Sequence, residues 1–441
     1  MDPIPEGNGR FATRTQRDAA PLAPAYQQAS LPPRNNERDI PLTSFTEFTL
    51  RASSQRALRT MQITEPTPIQ ASTIPPLLEG RDVIGEAYTG SGKTLAFALP
   101  LIETIDEDSR ALQALVLVPT RELAQQVGGV IKQLTPGTAI HVAILFGGQA
   151  IGPQQEKLRH GCQVVVGTPG RILDHLARRS IRFDTTSYVV LDEADQMLDR
   201  GFAPDVERIL ATTPRDRQTC LFSATTPEWV QTVAARYLND PLIIQASVED
   251  GDEPDIEHEV CEIWHEEKFS VLRRLLDEAT EGATLVFGRT KHGVRSLGMK
   301  LERLGYPVDV LQGNLSQPQR DRVLNRFRDG SVPILVATNV AARGLDVLHI
   351  GRVINYELPE THELFTHRVG RTGRMGRAGR AITLLGPADL PKWHEIERGL
   401  GRKLPRITPD GEPVKELEPA AVARASHFSG RFGRRRSRSR A

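Results

Sequence analysis

Ten short apolar runs, five in each half of the chain, constrain the fold class more tightly than any motif. In the first half they are Asp82–Gly85, Ala114–Val118, Val164–Gly167, Tyr188–Leu191 and Thr219–Phe222; in the second, Thr284–Phe287, Val308–Leu311, Ile334–Ala337, Arg352–Tyr356 and Ala381–Leu385. Helix-length stretches separate them, as where Val271, Leu272, Leu275, Leu276 and Ala279 share one helical face. A strand that is apolar at successive positions is buried on both faces, which is the condition of parallel strands joined by crossover helices. A chain of 441 residues exceeds what one core supports. The expectation is an α/β chain with two parallel-sheet units in tandem.

The boundaries follow from where the apolar runs stop. Residues 1–38 are rich in Pro, Gln and Asn and are expected to be disordered. The first unit spans 39–246. Residues 247–257 form a linker with Glu249, Asp250, Asp252, Glu253 and Asp255, the second unit spans 258–400, and 401–441 is an expected disordered basic tail. Seven arginines and no acid lie between Arg424 and Arg440, so a chain of net charge +1 is acidic elsewhere. That asymmetry points to a nucleic-acid partner for the tail; charged solubility tails are common enough to be the competing account.

With 39 % hydrophobic and 25 % charged residues the composition is that of an ordinary globular protein. No apolar run approaches 18 residues and the first 37 residues hold no apolar segment, so neither a membrane span nor a secretory signal is expected. Cys162, Cys220 and Cys261 are odd in number and lack metal-ligand spacing. They read as reduced core thiols of a cytoplasmic protein.

Two motifs carry chemistry. Ala87-Tyr88-Thr89-Gly90-Ser91-Gly92-Lys93-Thr94 follows the first apolar run. It offers backbone amides and an ammonium to β- and γ-phosphates, and a Thr hydroxyl to Mg²⁺. The strict phosphate-loop pattern opens with Gly, where this chain has Ala87. Asp192-Glu193-Ala194-Asp195 follows the run Tyr188–Leu191; there Asp192 can hold the metal and Glu193 can orient the attacking water. A Gly-Ser-Gly run alone is often a turn, and an Asp-Glu pair alone is often a helix start. Both in order, each after a strand-like run, read as an ATP hydrolysis site.

Residues 44–385 resemble the DEAD-box RNA helicases. Phe45 and, 25 positions on, Gln70 in Pro66-Thr67-Pro68-Ile69-Gln70 are similar to the adenine-recognising segment; Gln62 and Ile63 stand where the family usually has Gly and an aromatic. Pro119-Thr120-Arg121-Glu122-Leu123-Ala124, Gly147-Gly148 and Thr168-Pro169-Gly170-Arg171 resemble the RNA-backbone contacts, and Ser223-Ala224-Thr225 the segment that couples hydrolysis to closure. In the second unit, Phe287-Gly288-Arg289-Thr290, Ala337-Thr338 to Arg343-Gly344-Leu345-Asp346, and His367-Arg368-Val369-Gly370-Arg371-Thr372-Gly373-Arg374 continue the resemblance, with Gln312 and Asn339 where His and Asp are usual.

The resemblance implies two RecA-like domains that bind ATP, Mg²⁺ and RNA. Lys93, Asp192, Glu193, His367, Arg371 and Arg374 would be catalytic, the last two as arginine fingers. Gln70, residues 87–94 and Asp346 would bind nucleotide, and Thr94 with Asp192 would bind the metal. RNA would meet Pro119, Thr120, Arg121, Gly147, Gly148, Thr168, Pro169, Gly170, Arg171, Thr338 and Arg343. The implied activity is RNA-dependent ATP hydrolysis coupled to local remodelling of RNA, with little sequence preference. An ATP-dependent DNA helicase and an ATP-gated RNA clamp are the alternatives.

Overall fold

The computed structural model describes residues 44–87, 90–245, 255–342, 345, 347, 349–374 and 377–412. The N-terminal segment, most of the acidic linker, the tail beyond 412, and the site candidates Tyr88, Thr89, Arg343 and Asp346 lie outside those residues.

The first lobe runs α1 (Ala52–Thr60), α2 (Pro68–Leu78), β1 (Val83–Glu86), α3 (Lys93–Thr104), β2 (Ala114–Leu117), α4 (Arg121–Leu134), β3 (Val142–Leu145), α5 (Gly152–Arg159), β4 (Val164–Gly167), α6 (Pro169–Ala177), β5 (Tyr188–Asp192), α7 (Ala194–Asp199), α8 (Ala203–Leu210), β6 (Gln218–Ser223), α9 (Glu228–Tyr237) and β7 (Leu242–Gln245). The second runs β8 (Ile256–Glu262), α10 (Lys268–Asp277), β9 (Ala283–Gly288), α11 (Lys291–Arg303), β10 (Val308–Leu311), α12 (Gln317–Arg328), β11 (Ile334–Thr338), α13 (Asn339–Ala342), β12 (Ile350–Asn355), α14 (His362–Val369), β13 (Gly379–Leu385), α15 (Leu390–Leu400) and β14 (Arg406–Ile407).

Each lobe is built on a seven-stranded sheet, ordered β3-β4-β2-β5-β6-β1-β7 and β10-β11-β9-β12-β13-β8-β14. The strand pairs are parallel throughout, for example β2 with β4 and β13 with β8. Numbered from its own first strand, the second sheet repeats the order of the first, so every strand of one lobe has a counterpart in the other. The central apolar runs are buried on both faces, as expected, with Val164 and Val166 in one core cluster and Val165 in the opposite one, while the run Val308–Leu311 forms an edge strand that is only partly buried.

Three expectations need correction. The linker is shorter than 247–257, because β8 begins at Ile256 and pairs with β13. Its sequence Ile-Glu-His-Glu-Val-Cys-Glu alternates charge with apolar residues and so reads as linker. The second unit does not end at 400: β14 pairs with β8, and Leu404 and Ile407 are buried. A two-residue strand leaves too few apolar positions to stand out among Arg402, Lys403 and Pro405. Strands β3 and β7, the two edges of the first sheet, had no counterpart among the predicted runs.

Candidate active site

The carboxyl ends of the strands carry the site, and the sheet order divides it in two. The phosphate loop, the acidic pair and Ser223-Ala224-Thr225 follow β1, β5 and β6, which are neighbours. The three predicted RNA segments of this lobe follow β2, β4 and β3, also neighbours. One half of the sheet thus presents the nucleotide candidates and the other the RNA candidates.

In the phosphate loop Gly90 and Gly92 hold φ of +98° and +93°, a region closed to most side chains. Ala87 is not among the left-handed residues, and its N–H donates to Ser223 O at 3.1 Å. Its methyl is therefore compatible with the position where the strict pattern has Gly. Lys93, at the start of α3 and buried, donates Nζ to Ala87 O at 2.7 Å. Gln70 accepts from Thr67 N through Oε1 and donates to Gly92 O through Nε2, both at 3.0 Å. Thr67 Oγ1 donates to Ser91 O at 2.8 Å. The base-recognition candidate is thus tied to the loop, and each of its amide atoms retains one further hydrogen-bonding position. Gln62, where the family usually has Gly, sits at φ +58°, which explains the usual Gly. Ile63 packs against the core.

Asp192 closes β5 at 2 % exposure and accepts from Glu193 N at 3.0 Å. Burial holds its carboxyl well above the usual range, and the Lys93 ammonium opposes the shift. Glu193 adopts φ +53°, ψ +52°, a strained conformation for a non-glycine residue and one met at functional sites. Its Oε2 is buried with no hydrogen-bond partner among the described residues. A carboxylate oxygen held this way is desolvated and available to a ligand.

Asp195 was absent from the predicted site, yet it is the hub of the constellation. Its Oδ2 accepts from Ala224 N at 3.2 Å and from Thr225 N and Oγ1 at 3.1 Å. The same oxygen lies 3.6 Å from His367 Nε2 of the second lobe. Burial alone would raise this carboxyl; His367 and Lys93 outweigh it and hold it at about 2.

From the second lobe, α14 and the turn after it bring Arg371 and Arg374, both predicted, and Arg368, which was not. Arg371 donates to His367 O and Leu345 O, at 3.1 and 2.9 Å. Arg374 donates Nε to Gly370 O at 3.0 Å. Its stem crosses the phosphate loop, 3.4 Å from where a Cβ on Gly90 would stand. Arg368 is buried against Phe287, donating to Asn339 Oδ1 at 2.6 Å and Asn355 Oδ1 at 3.0 Å. Burial pulls its guanidinium down to about 9. Asn339 therefore supplies a neutral oxygen where the usual Asp would supply a charged one. Gln312 accepts from Asn314 N at 2.8 Å, within its own loop.

The RNA candidates divide into presenting and supporting groups. Gly148 is exposed at φ +83°, and any side chain on it would collide with the Arg121 guanidinium. Gly147 and Gly170 have room above them, at the loop and at the start of α6. Thr120 caps α4 by accepting from Leu123 N at 3.0 Å. Thr168, Pro169 and Thr338 are buried at strand and helix ends. Arg171 is buried, with Nη2 on Gln149 O at 3.0 Å. It braces the glycine loop from behind. Arg121 donates to Gln317 Oε1 at 2.8 Å, and next to it Glu122 pairs with Arg320 of α12. Gln317 and Arg320 were not predicted; a polar helix start in the second unit gave no signal until its partner across the cleft was known.

Comparison with known proteins gives the family. Residues 67–233 match the DEAD/DEAH box helicase family and residues 267–376 the helicase conserved C-terminal domain. The chain is 43 % identical over 368 residues to the DEAD-box ATP-dependent RNA helicase CshA of Geobacillus kaustophilus, covering 83 % of this chain and 79 % of that one. It is 44 % identical over 349 residues to the ATP-dependent RNA helicase CshA of Listeria monocytogenes, covering 79 % and 67 %. Among solved structures, S. cerevisiae Dbp5 bound to RNA and ADP BeF3 superposes with a TM-score of 0.77 at 31 % identity, covering 83 % and 96 %. A DEAD box protein from Methanococcus jannaschii gives 0.52 at 39 % identity, covering 83 % and 99 %. Among the described residues no helix is long and apolar enough to cross a membrane. The chain belongs to the DEAD-box ATP-dependent RNA helicases.

Proposed function

We propose that this helicase hydrolyses ATP only when its lobes close, and that the Asp195–His367 contact reports that closure to the hydrolytic carboxylates. The observation that carries the reading is the convergence of both lobes on one point: His367 on Asp195, and Arg374 over Gly90. Lys93 would hold the β- and γ-phosphates and Gln70 the adenine. Glu193, desolvated and strained, would accept a proton from the attacking water, and Arg371 and Arg374 would meet charge developing on the γ-phosphoryl group. Because these groups come from two lobes, RNA that favours the closed arrangement accelerates turnover.

Thr94 and Asp192 fit Mg²⁺. They offer a hydroxyl and a single buried carboxylate, oxygen donors of the kind that share this ion with phosphates and water. When bound, the ion would neutralise phosphate charge and orient the triphosphate. The chain's own part is to keep Asp192 in place through the amide of Glu193 and to leave Glu193 Oε2 open.

RNA would lie along the loops after β2, β4 and β3 and their counterparts in the second lobe. Its backbone would be held by glycine-loop and helix-start amides and by Thr120, Arg121 and Thr338. The three buried, unpaired cysteines support a reducing, cytoplasmic setting. ATP turnover measured with RNA or DNA oligomers, with Mg²⁺ or with chelator, tests the reading. Stimulation by RNA that needs Mg²⁺ and exceeds that by DNA is expected; equal stimulation by both would overturn the RNA assignment.

A further inference from the structure

Because the sheets share one strand order, the second lobe has a counterpart of the phosphate-loop position after β8, flanked by the carboxyl ends of β13 and β14. There lies a groove of about 390 Å³. Its apolar wall is Ile263, Leu385 and Leu390, with Trp264 beside them and Pro409 closing one end. Lys268 opens α10 as Lys93 opens α3, but its ammonium is bound to Asp389 at 2.8 Å. Glu262 and Glu267 line the groove, with Glu266 next in the chain. A phosphate would be repelled here, whereas a cationic segment with an aromatic side chain would be held. Trp264 is 66 % exposed, the largest exposed apolar side chain among the described residues.

We propose that this groove is the seat of the chain's own segment 424–436 when no RNA is bound. The described chain ends at Glu412, in a turn closed by Thr408 N on Glu412 O at 2.8 Å. The tail therefore leaves from the groove's mouth, where Pro409 stands. Eleven residues separate Glu412 from Arg424, enough to span roughly 35 Å if extended, so the segment can fold back at high effective concentration. It carries Arg424, Arg431 and Arg434–Arg436 with Phe428 and Phe432, complementary in charge to the acidic rim and in aromatic character to the Trp264 wall. RNA competes for the same arginines, so the groove holds the tail back until RNA takes it.

The test uses the full chain with Trp264→Ala, Glu266→Gln and Glu267→Gln combined, all on the surface and away from the ATP and RNA groups. Trypsin should cut after Arg431–Arg436 several-fold faster in the variant, and RNA should bind it several-fold more tightly at unchanged RNA-saturated ATPase. The gain in RNA affinity should vanish when the chain stops at Glu412. Equal cleavage and equal affinity would overturn the proposal. So would a variant that changes only self-association in sedimentation, which would give the groove to a second copy, or an affinity gain that survives removal of the tail.

Discussion

Asp195 and His367 meet at 3.6 Å although they belong to different lobes. Asp195 also accepts three hydrogen bonds from Ala224 and Thr225. One carboxylate thus joins the acidic motif, the segment after β6 and helix α14, which leads into the turn of Arg371 and Arg374. Asp195→Asn keeps the shape but removes the charge. RNA-stimulated ATPase should fall by about tenfold or more, with nucleotide affinity changed only a few-fold. A variant with parental stimulation by RNA would leave the contact without a role in coupling.

Glu193→Gln should abolish multiple turnover, a loss of about a hundredfold or more, because an amide cannot accept the proton. ATP and RNA binding should persist, so the variant accumulates with RNA gripped. Filter-binding with a slowly exchanging RNA reads this directly. Turnover within a few-fold of the parent would move the base elsewhere.

Arg374→Ala removes a stem that crosses the phosphate loop. It should spare ATP binding and cost about a thousandfold in RNA-stimulated hydrolysis if the guanidinium acts as a finger. A first-lobe fragment ending at Gln245 carries the loop without the fingers and should behave likewise. A fragment that hydrolyses ATP as fast as the full chain with RNA would make the second lobe dispensable for chemistry.

What the sequence could and could not say follows from where each signal lives. Lys93, Asp192 and Glu193 could be read because the phosphate loop follows β1 and Asp192 closes β5 with Glu193 next, so that strand and motif reinforce each other locally. Asp195 was legible as a letter but not as a hub, since its partners lie 28 to 30 positions away at Ser223–Thr225 and 172 away at His367. Arg320 and Glu122 form a contact across 198 positions, and neither residue type is unusual where it stands. Strand β8 was hidden because its outward positions are acidic and adjoin an acidic linker. Arg171 reads as an RNA contact from its motif, and the structure adds that it braces the loop through Gln149 O.

His258 gives a pH signature. Its ring stacks on Phe365 with centroids 6.0 Å apart. Burial, with Arg402 adding to it, pushes the imidazole down to about 4. The unfolded chain takes up that proton near its ordinary value of about 6.5. The contribution is therefore complete above that pH and is lost as pH falls toward 4. Between pH 7 and 5 the parent should lose about 1 kcal/mol more than His258→Phe, an amount reduced because the ring is not wholly buried. Urea melts of both at the two pH values check this; parallel losses would show that His258 does not titrate as argued.

The last expectation concerns the arginine-rich segment. Removing Arg424–Ala441 deletes seven positive charges interleaved with Ser, Gly and two Phe, a composition suited to phosphate neutralisation and base stacking. All of the described ATP and RNA groups lie before it, so the RNA-saturated ATPase rate should be unchanged. Apparent RNA affinity should fall, and its salt dependence should become shallower by about 0.7 in logarithmic slope for each arginine that met a single-strand phosphate. Binding titrations at several salt concentrations measure both. An equal slope with and without the segment would mean that its arginines do not meet RNA, and a lost maximal rate would mean that it supports the catalytic body.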